Sequence, residues 1–192
     1  MKIIELIMDE DDVYGVDAMS LVEQPAIGEH FIALADQKKE IVRFAADKKR
    51  KILYGIALIP NLPIYRRDEE RGEFYVFMSK DTVRKSAERT MRLGLQGETT
   101  LEHETELKDC HIVESWLSEG AHDKLMNFGI EPPEGSWCIG MRPSDKVWDE
   151  YIETGKVKGF SIEAGYMDRM KVKQSDELLI QELEQLVKTE YP

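Results

Sequence analysis

Residues 157–166 read VKGFSIEAGY, an apolar run in which Ser161 interrupts Phe160 and Ile162 and glycines stand at 159 and 165. These residue types predict a strand, and its glycines mark a bulge or a close backbone approach. Upstream, residues 136–141 predict another strand. Ser144 then caps a helix carrying Val147, Trp148, Tyr151 and Ile152, which Gly155 ends. Farther back, residues 99–104 and 110–117 read as the two arms of a hairpin across the polar stretch 105–109, and residues 118–127 as a short helix closed by Gly129. The runs 52–61 (ILYGIALIPN) and 73–78 read as neighbouring strands separated by the polar loop RRDEERG. Ser79 caps a helix that places Val83, Ala87 and Met91 on one side and stops at Gly94. Strand runs outnumber helices, which predicts an α+β domain with a largely antiparallel sheet.

At the N-terminal end, residues 2–8 form a strand candidate closed by the acidic residues 9–12. The expected organisation is a strand and arm over 1–45, a main domain over 46–172 and an amphipathic surface helix over 173–192, with Leu179, Leu183 and Leu186 in one stripe. That stripe fits equally a helix packed on its own domain and one that binds a scaffold or a second copy.

With 192 residues, 42% hydrophobic and 33% charged, the chain suits one core rather than two. A formal net charge of −12 opposes phosphate backbones, so nucleic acid is not an expected ligand. Cys110 and Cys138 form no CxxC pair and read as buried thiols in a reducing compartment. The start, MKIIELIMDEDD, turns acidic after one short apolar run, the wrong order for a signal peptide and too short for a membrane span. Neither export nor membrane anchoring is expected.

Of the four histidines, His30 and His122 lie in polar surroundings where a solvated side chain is the ordinary outcome. His111 begins a strand beside Cys110. His103 ends the run TTLEHE just before a turn, where scaffolds hold reactive groups at the rim of a sheet. A half-buried strand histidine bonded to a neighbour fits the same text. Ser161 is the natural partner of His103, because a serine becomes nucleophilic only with a base in reach and a third group holding that base. A plain strand serine on a polar face is the alternative. GFSIE is no GxSxG elbow, and neither HExxH, GxxxxGK nor GxGxxG occurs, so zinc, nucleotide and other cofactor sites are not expected. Trp116, Trp137 and Trp148 stand in apolar runs that read as core.

Several separated blocks then agree in order: VDAMSLVEQPAI, GIALIPNLPIYRRDE, FYVFMS, TLEHE, IVESWL and GSWCIGMRPSDKVWDEYIETGKVKGFSIEAGY. Together, from about Val16 to Tyr166, they resemble the XkdF-like phage serine proteases, a branch of the prohead (capsid maturation) proteases of tailed phages. The resemblance implies a serine endopeptidase with a closed, mostly antiparallel β-barrel flanked by helices, as in the herpesvirus assemblins. It also implies His103 as general base and Ser161 as nucleophile, without metal or cofactor. For the third member the choice falls on Glu114, expected on the return strand of the hairpin after His103, with Glu104, Glu163, Asp168 and His111 as the other candidates. The implied substrates are the phage scaffold and major capsid protein, cleaved in the procapsid interior within the host cytoplasm, with self-cleavage and self-association in keeping. The competing expectation is a non-catalytic phage assembly or scaffold-like protein.

Overall fold

A computed structural model describes residues 2–8, 15–23, 44–68, 72–164 and 170–171. Its strands are β1 (Lys2–Leu6), β2 (Val16–Val22), β3 (Ala45–Asp47), β4 (Ile52–Leu58), β5 (Ile64–Asp68), β6 (Gly72–Met78), β7 (Thr99–Leu101), β8 (Thr105–Glu106), β9 (His111–Leu117), β10 (Trp137–Arg142), β11 (Gly159–Ala164) and β12 (Met170–Lys171). They form three four-stranded sheets, ordered β12-β1-β6-β5, β3-β4-β10-β9 and β11-β2-β7-β8.

None of these sheets closes on itself, so the closed barrel flanked by helices is corrected to a mostly β architecture of three open sheets. The ladder breaks for a topological reason. The N-terminal strands enter by the parallel pairings β1 with β6 and β2 with β7, which divide later strands between separate sheets. The remaining pairings among the described residues are antiparallel, as expected.

All three sheets share one core. Ile4 and Leu6 of β1, Met19 and Leu21 of β2, Leu53 of β4, Val76 of β6, Trp137, Ile139 and Met141 of β10, and Phe160 of β11 belong to a single buried cluster with Trp148. Burying each such side chain contributes about 1.5–3 kcal/mol. Helix α1 (Lys80–Arg92) covers part of it through Val83 and Ala87. Ser79 caps that helix, its hydroxyl accepting from Thr82 N–H at 3.4 Å, and Gly94 follows in a left-handed conformation. Ser144 likewise caps Asp145–Val147, continued by a π-turn over Trp148–Ile152. Residues 124–128 form a 3₁₀ turn that Asp123 caps and Gly129 ends.

Other expectations change. Arg66 and Arg67 of RRDEERG do not lie in a loop: β5 runs through them and pairs with β6, while β4 pairs with β3 and β10 rather than with β6. The expected hairpin of 99–104 with 110–117 is replaced by a shorter one. Glu102 and His103 both adopt positive φ (52° and 61°), turning the chain tightly enough for β8 to return at Thr105. Thr99 then binds the carbonyls of Leu107 and Cys110, and β9 leaves for another sheet to pair with β10. Both cysteines are free and buried. Trp137 and Trp148 are core residues, but Trp116 is only partly buried, with Lys124 Nζ 3.6 Å from its ring centre. His30, Asp168 and the C-terminal stripe of Leu179, Leu183 and Leu186 lie outside the described residues. No helix of the described residues is long and apolar enough to cross a membrane.

Candidate active site

β11 divides its side chains between two faces. Phe160 and Ile162 turn to the shared core, so Ser161 and Glu163 stand together on the opposite face. Across the sheet the register aligns Ser161 with Ser20 of β2, and Ser20 with Thr100 of β7. Directly opposed residues share a face with Cβ atoms about 4.5–5.5 Å apart, which brings three hydroxyl side chains into one row. The register slips between Glu163 and Ala164, an irregularity beside the glutamate.

The tight turn after β7 delivers His103 to this row. Its backbone N–H donates to Ser20 Oγ at 3.0 Å, and its Nδ1 lies 3.4 Å from Glu163 Oε1. The same carboxylate oxygen accepts a hydrogen bond from Thr100 Oγ1. Ser20 is fully buried and Ser161 nearly so, at 0% and 7% exposure, whereas the His103 and Glu163 side chains are 40% and 34% exposed. Nδ1 thus faces an acid. A carboxylate in that position can hold the imidazole's orientation and tautomer.

Glu114 lies elsewhere. It stands on β9 opposite Gly140, which also faces Tyr54 of β4 on its other side. With no side chain at Gly140, the Tyr54 hydroxyl reaches across the middle strand to donate to Glu114, and Lys124 donates to the other carboxylate oxygen. Burial raises the Glu114 carboxyl, but the Lys124 and Tyr54 hydrogen bonds outweigh it and hold the group below the ordinary glutamate value. Burial, with the Glu114 carboxylate adding to it, pushes the Tyr54 phenol up to about 12. Glu114 therefore belongs to an ion-pair and aromatic cluster of the second sheet system, and the acid brought to His103 is Glu163.

The other candidates separate similarly. Glu104 is exposed in the turn itself, its N–H bonded to the Leu101 carbonyl. His111 is exposed at the start of β9, with its ring beside Gly97. No group of three or more His, Cys, Asp or Glu side chains among the described residues is arranged to hold a metal ion. Ser20 and Thr100 escaped the sequence reading. The signal for Ser20 was present in VDAMSLV, where a lone hydroxyl interrupts an apolar strand much as Ser161 does in GFSIE.

Residues 39–171 match the sequence profile of the family described as "Putative phage serine protease XkdF". The chain is also 28% identical over 133 residues to the phage-like element PBSX protein XkdF of Bacillus subtilis (strain 168), a match covering 69% of this chain and 43% of that protein. The chain thus corresponds to less than half of that relative's length. No solved structure matches it significantly.

Proposed function

The chain belongs to this XkdF family of phage proteins, and from that premise we propose that it is a serine endopeptidase with Ser161 as nucleophile, His103 as general base and Glu163 as the acid that orients the base. The observation that carries this reading is the shared row: Ser161 registers with Ser20, the His103 backbone is tied to Ser20, and the imidazole's Nδ1 faces Glu163 two positions beyond the serine. In the reaction, Nε2 of His103 takes the Ser161 hydroxyl proton as Oγ attacks the peptide carbonyl. The proton then passes to the leaving amine, and Glu163 stabilises the imidazolium in between. Water repeats the sequence on the acyl-enzyme.

As substrates we propose the phage scaffold and the major capsid protein, cut in the procapsid interior within the host cytoplasm, as the resemblance of the sequence blocks implies. The net charge of −12 suits a protein that works beside DNA-free shells without binding nucleic acid. Co-expression with its phage's scaffold and capsid proteins is the test. Both are expected to shorten with the unaltered chain and to stay full length with Ser161→Ala. Equal processing by both forms removes the assignment. Full-length substrates in both favour the alternative, a non-catalytic assembly protein of the same fold.

A further inference from the structure

We infer that Ser20 is a positioning residue of this site, whose hydroxyl fixes the backbone of the turn that carries His103. The inference rests on the endopeptidase reading and assigns a part of the site that lies on neither the nucleophile's strand nor the base's turn.

Ser20 occupies the central strand between the two. Its Cα partners are Ser161 on one side and Thr100 on the other, and it is fully buried. A buried hydroxyl is costly unless it is hydrogen-bonded. This one accepts from His103 N–H at 3.0 Å and turns its own proton toward the Thr100 carbonyl at 3.5 Å. Both contacts go to the segment that ends in the base, so the serine acts on the turn and not on its own strand.

The turn needs such a tether. Glu102 and His103 are consecutive non-glycine residues in the left-handed region, at φ 52° and 61°. Each is intrinsically disfavoured and persists only where its surroundings hold it. The surroundings are explicit. Glu102 N–H donates to the Leu21 carbonyl at 3.0 Å, Glu23 N–H donates to the Glu102 carboxylate at 2.7 Å, and Glu104 N–H closes the turn on the Leu101 carbonyl at 3.0 Å. The bond to Ser20 is the one made by His103 itself. Without it, the backbone of the base is free to leave the left-handed well and carry the imidazole away from Glu163. An ångström-scale displacement of a base lowers the rate of the chemical step far more than the affinity for a ligand.

Labelling of the full chain with a fluorophosphonate tests this. Ser161 Oγ bonds to phosphorus, the P–F bond breaks to release fluoride, and the serine proton passes to His103. Ser20→Ala is expected to lower the saturating labelling rate by about tenfold or more, with the half-saturating concentration within about twofold. Ser20→Thr, which keeps the hydroxyl, is expected to label faster than Ser20→Ala. Thr90→Ala, which removes a buried hydroxyl bonded to the Ser86 carbonyl on α1, is expected to lower the thermal midpoint while leaving the labelling rate unchanged. Wild-type labelling by Ser20→Ala, or equal slowing by Ser20→Ala and Ser20→Thr, overturns the inference while leaving the endopeptidase reading intact. Undiminished labelling of Ser161→Ala instead removes the endopeptidase reading and the inference with it. Should Ser20→Ala not fold, amide exchange in the unaltered chain decides: a protected His103 N–H supports the tether, and exchange at the unprotected rate overturns it.

Discussion

Two glutamates near the candidate segments carry different physical situations, and their variants are expected to separate. Glu163 faces Nδ1 of His103, so Glu163→Gln leaves a base without its orienting charge and is expected to lower turnover by roughly tenfold or more. Unchanged turnover in a fluorogenic peptide or capsid-protein assay would pass that role to another residue. Glu114 is bound to Tyr54 and Lys124, so Glu114→Gln is expected to leave turnover within about twofold and to cost stability instead. At 35% exposure, solvent screening limits that cost to about 1 kcal/mol or less. Its pH dependence has a definite sign. The folded-state pKa is depressed, so the stabilisation is complete above the ordinary glutamate pKa of about 4.3 and is lost as pH falls through the lower folded value. Denaturation midpoints of the two forms should therefore differ at neutral pH and converge in acid. Convergence at neutral pH and divergence in acid would contradict the assignment. Ser161 and His103 were legible as residue types beside a turn and a strand. That Glu163 rather than Glu114 is the acid beside His103 was not, because choosing among acids requires knowing which strand lies next to which.

At the scale of elements, the punctuation was read well and the pairing was not. Ser79, Ser144, Gly94 and Gly129 mark real element ends, since capping and left-handed stops are local chemistry. Ser79→Ala should accordingly destabilise the protein by about 1 kcal/mol in chemical denaturation; no change would mean that α1 is held by packing alone. Pairing depends on contacts far apart in sequence. The return of β8 after only three turn residues was hidden because two non-glycine residues take positive φ there, a conformation that glycine-based turn reading does not anticipate. β5 was hidden because its arginines look like loop, although it pairs along its length with β6. Gly140 shows what one absent side chain does for an element. A Cβ built there meets the Tyr54 ring at 2.8 Å and the Glu114 Cβ at 3.1 Å. Gly140→Ala is expected to destabilise by about 1–3 kcal/mol and to push Tyr54 away from Glu114, lowering the tyrosine pKa in an ultraviolet titration. An unchanged pKa would mean that the pair does not cross the strand as described.

For the whole molecule, a single core joins three open sheets, and the site lies on the face of one sheet turned away from that core. The expectation of a predominantly antiparallel domain survives in the pairings, but barrel closure does not, because the parallel entries of β1 and β2 distribute strands that a continuous ladder would have kept together. Those N-terminal strands lie inside their sheets, and β2 supplies Ser20, which registers with Ser161 and accepts from the His103 N–H. One shared core also predicts one unfolding transition, followed identically by far-ultraviolet dichroism and by fluorescence of the buried Trp137 and Trp148. Two separated transitions would mean that the sheets fold as independent units. The central claim is that His103 activates Ser161, and the most direct measurement of it is peptide mapping of the fluorophosphonate adduct by mass spectrometry. The predicted result is a single adduct on Ser161 that disappears in His103→Ala. An adduct on a different residue such as Ser20, or one of undiminished yield in His103→Ala, would contradict it.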